Sequence, residues 1–193
     1  PENRLLWRMR LRRLESEIIR DSLLAVGGQL EQTMGGPPTL TASQPDGNLV
    51  VKGEGGNRRA IYHLARRNYH PALLGVFDQP VLATNCTQRV ASAVPLQSLT
   101  MMNDAFLFEQ AEHFAARLNE TADTSPDRQI TLAFRIALGR RPSTVEMEWC
   151  NNLLDRQAEL YLAERLSPRD AARKALVHLC QLLLNTSEFI YVQ

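Results

Sequence analysis

The chain has 193 residues, of which 44% are hydrophobic and 22% charged, and its formal net charge is +1. That length buries the core of one domain, and the composition is that of an ordinary globular protein. Near-neutrality leaves little whole-molecule steering toward nucleic acid or an anionic membrane, and no apolar run reaches the roughly 20 residues that span a bilayer.

From the start, "LLWRMRLRRLESEIIRDSLLAV" reads as a helix within residues 1–30. Leu11, Leu14, Ile18, Ala25 and Val26 fall on one side at the 3.6-residue period, and Gly27-Gly28 is a stop. Residues 35–57 are rich in glycine and proline, and within them "TLT" and "NLVVK" predict the two strands of a small hairpin flap. "RRAIYHLARR" fits a strand or a short helix, and its β-branched and aromatic content favours the strand. Residues 58–102, broken by Pro71, Pro80 and Pro95, predict a long irregular segment of the kind that often carries function.

Residues 103–193 predict helices in series. Asn103 is the expected cap of a helix through about 118, with Leu107, Ala111, Phe114, Ala115 and Leu118 buried. Ser125-Pro126-Asp127 opens the next, which ends at Gly139. Ser143-Thr-Val-Glu146 is a capping box for a helix to about 164, and Ser167-Pro168 starts one that runs to about Leu184. Short links between these helices predict a mainly α fold: an antiparallel helical bundle with a small β-hairpin flap and a long irregular central segment.

Candidate chemistry is sparse. The histidines at 63, 70, 113 and 178 lack metal-ligand spacing, and Cys86, Cys150 and Cys180 form no C-x-x-C pair, so no metal site is expected. His113 and His178 fall on solvated helix faces, while Cys150 and Cys180 fall on apolar ones, where a disulfide between them is left open. Cys86, near Arg89, is the one thiol in a polar segment. The basic residues are arginines apart from Lys52 and Lys174, and Arg4, Arg8 and Arg12 make a stripe at i, i+4, i+8. The most informative anomaly is on the first helix, where Asp21 falls between Leu24 and Ala25 and Ser22 near the middle of the apolar face. A partly desolvated carboxylate there needs a partner from another segment. Arg89 is the expected one, chosen over Arg58, Arg59, Arg66 and Arg67.

Seven stretches carry a family resemblance: "NRLLWRMRLRRLESEIIRDSLLAVGG", "RRAIYHLARR", "HPALLGVFDQP", "NCTQR", "PLQSLTMMND", "AFRIALGRRP" and "LLLNTSEFIYV". With them the chain resembles the C-terminal PSD-type domain of unknown function found in planctomycete cytochrome-c-associated proteins. The matching motif positions are Arg20-Asp21-Ser22, Phe77-Asp78, Cys86, Arg89, Pro95-Leu96-Gln97 and Asn103-Asp104. Ser98 stands where the family tends to have Ala, and Ala105 where it often has Pro. The resemblance implies an extracytoplasmic setting and upstream domains, one cytochrome-like, so that any haem belongs outside this chain.

Because the chain starts at Pro1, it is read as one domain cut from a longer protein. Its expected role is a non-catalytic module whose partners are those upstream domains. Arg20, Asp21, Ser22, Asp78, Cys86, Arg89, Gln97, Asn103 and Asp104 would form a buried polar knot. Asp21 and Asp78 would accept hydrogen bonds, Arg89 and Gln97 would donate them, and Asn103 would cap. The alternative is an enzyme or small-ligand binder with a pocket around Asp78, Cys86, Arg89 and His70.

Overall fold

The computed structural model describes residues 9, 11–43, 49–51, 55–64, 71–80, 86, 89, 92–121 and 125–192. The described chain is mainly helical. Strand β1 (Arg12–Arg13) leads into α1 (Ser16–Gly27); β2 (Thr41–Ser43) and β3 (Leu49–Val51) follow, then one 3-10 turn over Ala60–Tyr62. Next come α2 (Ala72–Val76), α3 (Pro95–Asn103), α4 (Ala105–Thr121), α5 (Pro126–Ala137), α6 (Thr144–Ala163) and α7 (Pro168–Leu184). The short α8 (Ser187–Ile190) and β4 (Tyr191–Val192) complete the order.

One core joins the helices. Phe114, Leu107 and Leu118 of α4 meet Ile19 and Leu23 of α1 on one side and Leu179, Cys180 and Leu183 of α7 on the other. Ile130 and Phe134 of α5 and Cys150 of α6 extend it, and most of these side chains are wholly removed from water. At about 25 cal/mol per Å² of apolar surface, this burial is the main favourable term in folding.

Local signals set several boundaries as expected. Ser143 and Glu146 close a reciprocal capping box, and proline stands in the first turn of α5 and α7. Gly139 lies beyond α5 at φ +71°, and Gly28 ends α1 at φ +73°, a conformation that costs glycine little. The flap is an antiparallel pair with Ala42 opposite Val50.

Elsewhere the structure departs from the sequence reading. The first helix begins only at Ser16, because Arg12 and Arg13 pair instead with Val192 and Tyr191. Leu11, Ile18 and Ala25, expected on the buried side, are exposed, while Ile19, Leu23 and Leu24 are buried. Leu11 and Leu14 precede the helix, so they set a wrong phase. The segment from 58 to 64 is a 3-10 turn with isolated bridges at Arg58 and His63, not a strand. The stretch read as irregular contains α2 and α3. Asn103 is the last residue of α3, and its amide donates to the Leu99 carbonyl (2.9 Å). The cap of α4 is Asp104, whose Oδ1 accepts from the Phe106 and Leu107 amides.

Ser143→Ala removes half of the capping box and should lower stability by about 1 kcal/mol, measured by urea denaturation with an unchanged m-value.

Candidate functional site

The polar groups of the motif segment form three junctions, each built on an arginine. The first begins with β1. Pairing of Arg12 and Arg13 with the end of the chain, extended by the Leu14 N–H to the Ile190 carbonyl (2.8 Å), turns the Arg13 side chain inward. Its guanidinium, 4% exposed, donates to Asp78 Oδ2 (2.7 Å), the Phe77 carbonyl (3.1 Å) and the Ser92 carbonyl (2.5 Å). It also lies 5.5 Å from the Phe77 ring centroid. Asp78 ends α2 in the left-handed conformation, φ +62°, which Asp tolerates better than most residues. That turn aims its carboxylate at the Ser92 amide (2.8 Å) and hydroxyl (2.8 Å). Gln97 closes the junction, donating to the Val76 carbonyl (3.1 Å) and Ser92 Oγ (3.2 Å). Burial works to raise the Asp78 carboxyl, but the hydrogen bonds from Arg13 and Ser92 outweigh it and hold the group below its usual range.

The second junction centres on Arg20, which points into the domain. It is 4% exposed and donates to the Gly56 carbonyl (2.6 Å) and the Arg58 carbonyl (3.0 Å), with the Phe106 ring 5.5 Å away. Arg58, also buried, donates to the carbonyls of Thr33 (3.3 Å), Gly35 and Pro37 (3.0 Å) and stacks 4.2 Å from the Tyr62 ring. These two side chains tie α1 to two stretches of irregular backbone. Burial pushes the Arg20 guanidinium below its ordinary value, with Asp21 working against that shift.

Asp21 is where the expected knot fails. Its side chain is 17% exposed, so it is shielded as expected, but its short partner is the Ala60 amide (2.8 Å). Arg20 and Arg59 stand off at 3.5 and 3.7 Å. Burial raises its carboxyl above the usual range despite these partners. Ser22 is half-buried next to it in the chain.

Arg89 belongs to a third junction, away from Asp21. It grips Glu17 bidentately (2.6 and 2.9 Å) and lies 3.3 Å from Glu15. Glu17 Oε2 also accepts from the Ser16 hydroxyl (2.9 Å). Burial alone would raise Glu17, but Arg89 turns the balance and lowers it. Cys86 is exposed. His70, Arg66 and Arg67 lie outside the described residues, as do Arg4, Arg8 and Arg10.

The sequence reading therefore named Asp78, Arg89, Gln97 and Asp104 but assigned Arg89 the wrong partner. It missed Arg13, Ser92 and Glu17, and it weighed Arg58 only as a partner for Asp21. It also missed Arg140, which follows Gly139 and grips both Glu146 (2.6 and 2.9 Å) and Glu188 (2.7 and 2.8 Å). Glu146 is held down to about 2, first by Arg140 and then by the Ser143 amide. The capping box was the available signal for Glu146, but nothing local pointed to Glu188.

Other side chains are simpler. His113 lies 3.8 Å from Glu109, as the i, i+4 spacing predicts. His178 is not on a fully solvated face: it is half-buried, stacks on Tyr161 and shares a 2.7 Å hydrogen bond with its hydroxyl. Cys150 and Cys180 are separate buried thiols, both raised by burial. His63 has neither ring nitrogen partnered among the described residues. Burial, reinforced by the Arg20 charge, lowers it to about 4.

A groove of about 720 Å³ runs beside the first junction, lined by Arg13, Phe77, Gln97, Asn103, His178 and Gln181 among others. Asp78, Cys86 and Arg89 do not line it. Among the described residues, no group of three or more His, Cys, Asp or Glu could hold a metal ion, and no helix is long and apolar enough to cross a membrane.

Fold and junctions together define a helical domain whose irregular strands are fastened by arginine. Residues 1–154 match the family PSD1, protein of unknown function (DUF1553), and the chain belongs to that family. No curated protein and no solved structure matches it.

Two acid-side windows of instability follow. His63 has a folded value below its unfolded one, so the unfolded chain binds the extra proton and stability falls as pH drops from about 6.5 to about 4. Glu146 contributes stability present above its unfolded value and lost as pH falls from 4.5 toward about 2. In pH-dependent denaturation, His63→Gln should flatten the first window and Glu146→Gln the second. Each variant should leave the other window in place.

Proposed function

We propose that this chain is a non-catalytic structural and interaction module of a larger extracytoplasmic protein of the planctomycete, cytochrome-c-linked type. Neighbouring domains of the same protein are its partners, and any haem is held outside residues 1–193. Support for the setting comes from the motif resemblance, and support for the role comes from how the motif groups are used. One observation carries it: the terminal nitrogens of Arg13, Arg20 and Arg58 donate to seven main-chain carbonyls of the domain itself, those of Phe77, Ser92, Gly56, Arg58, Thr33, Gly35 and Pro37, while the Nε groups of Arg13 and Arg58 are buried without a partner among the described residues. A site that recognises or transforms a ligand leaves such donors turned toward the ligand. Exposed Leu96, Leu99 and Met102 on α3 add an apolar surface suited to a neighbouring domain.

The competing reading is a small-ligand site that uses Asp78, Cys86 and Arg89. Asp78→Asn separates the two, because Asn keeps the left-handed turn while removing the charge that pairs with Arg13. The structural role predicts a loss of about 3–5 kcal/mol for Arg13→Ala, and a smaller loss in the same direction for Asp78→Asn, by thermal and urea denaturation. Unchanged melting of both variants, with loss of a small molecule that co-purifies with the parent chain, would overturn the proposal.

A further inference from the structure

Helix α6 is apolar on two sides. Met147, Cys150, Leu153 and Leu154 pack on the core. Across the helix Val145, Trp149 and Leu160 are 50%, 67% and 60% exposed, and Arg156 is exposed between them. At 100° per residue, Val145, Trp149, Arg156 and Leu160 fall within an arc of about 60°. Solvated helix faces do not ordinarily carry an indole and two large aliphatic groups in one line. The face continues into a groove of about 660 Å³ whose lining includes Trp149, Leu153, Arg156, Leu160 and Leu182.

The order of residues on this face says what covers it. A two-fold axis midway between Asn152 and Leu153 sets a second α6 antiparallel to the first. Val145 then stands opposite Leu160 of the second copy, and Trp149 opposite Arg156. Because the contact is isologous, each pairing occurs twice. Glu148 lies on the flank of this arc, about 60° beyond Val145 but at the level of Trp149, where the long side chain of the incoming Arg156 can reach its carboxylate from beside the indole. Neither Glu148 nor Arg156 has an ion-pair partner within its own chain among the described residues. The exposed apolar face of α3 has no charged residue among its own nine and shows no such self-complementarity.

We infer that the outer face of α6 is a self-association surface, on which a second copy of this chain docks antiparallel through Val145, Glu148, Trp149, Arg156 and Leu160. Indole and aliphatic burial drives the contact, and the Glu148–Arg156 pair sets its register.

The test uses the purified chain in sedimentation equilibrium over a micromolar to sub-millimolar series. The expected result is a monomer–dimer equilibrium, with Trp149 emission shifting to the blue as concentration rises. Arg156→Glu should weaken association about tenfold or more, and adding Glu148→Arg to it should restore much of the loss. All these positions are solvent-facing, so folding should be retained, checked by circular dichroism. In a Cys86→Ser background, Asn152→Cys should form a disulfide-linked dimer under mild oxidation, and Glu164→Cys should not. A chain that stays monomeric throughout would overturn the inference. So would a dimer that is indifferent to Arg156→Glu, or one that crosslinks at 164 and not at 152.

Discussion

Among the described residues, three guanidinium groups lie inside this domain with backbone carbonyls as their main partners. A buried cation costs several kcal/mol unless other dipoles replace its water, and a buried carbonyl with no donor is costly as well. Arg13, Arg20 and Arg58 answer both requirements at once. Each planar fork presents five N–H donors, enough to serve two or three carbonyls from stretches of chain that have no ladder of their own. A lysine ammonium has neither the reach nor the fixed geometry. The preference for arginine, with only Lys52 and Lys174 as exceptions, acquires a structural meaning at these positions.

This use of arginine explains how a helical bundle tolerates so much irregular backbone. Residues 31–39 and 55–64 are joined by short bridges, Glu31 with Arg58 and Thr39 with His63, and Arg58 fills the space between the two stretches. The turn after α2 is held in the same way by Arg13, which is itself positioned by the pairing of β1 with β4. Residues close to opposite ends of the chain thus meet at one junction. Arg140 works differently: it sits at the surface between two carboxylates and joins the start of α6 to α8, an ion-pair clasp more exposed to screening by salt.

The second half of the fold was legible because its signals are local. Caps, prolines at first turns and an apolar repeat all lie within a few residues of the element they define, and α5, α6 and α7 emerged close to their expected bounds. The first half was not, because its organisation rests on pairings between distant residues. Arg12 and Arg13 look helical until their strand partners at 191 and 192 are known. Reading Leu11 and Leu14 as helical rotated the face of α1 and drew attention to Asp21 as the centre of the knot, a place that Arg20 takes instead. The acid is shielded, but a backbone amide satisfies it. Arg89 was read as the partner of Asp21, but it reaches α1 at Glu17. Its choice of Glu17 over Asp21 depends on where the chain passes, which residue type alone does not determine.

Amide hydrogen exchange on Arg20→Met addresses the central claim most directly. Methionine keeps much of the volume on α1 but removes the donors to the Gly56 and Arg58 carbonyls. If carbonyl solvation by arginine fastens the irregular chain, protection should fall at residues 55–64, with little change at the buried face of α7 relative to global stability. Unaltered protection at 55–64 would contradict the account and leave these contacts as passengers of the helical core.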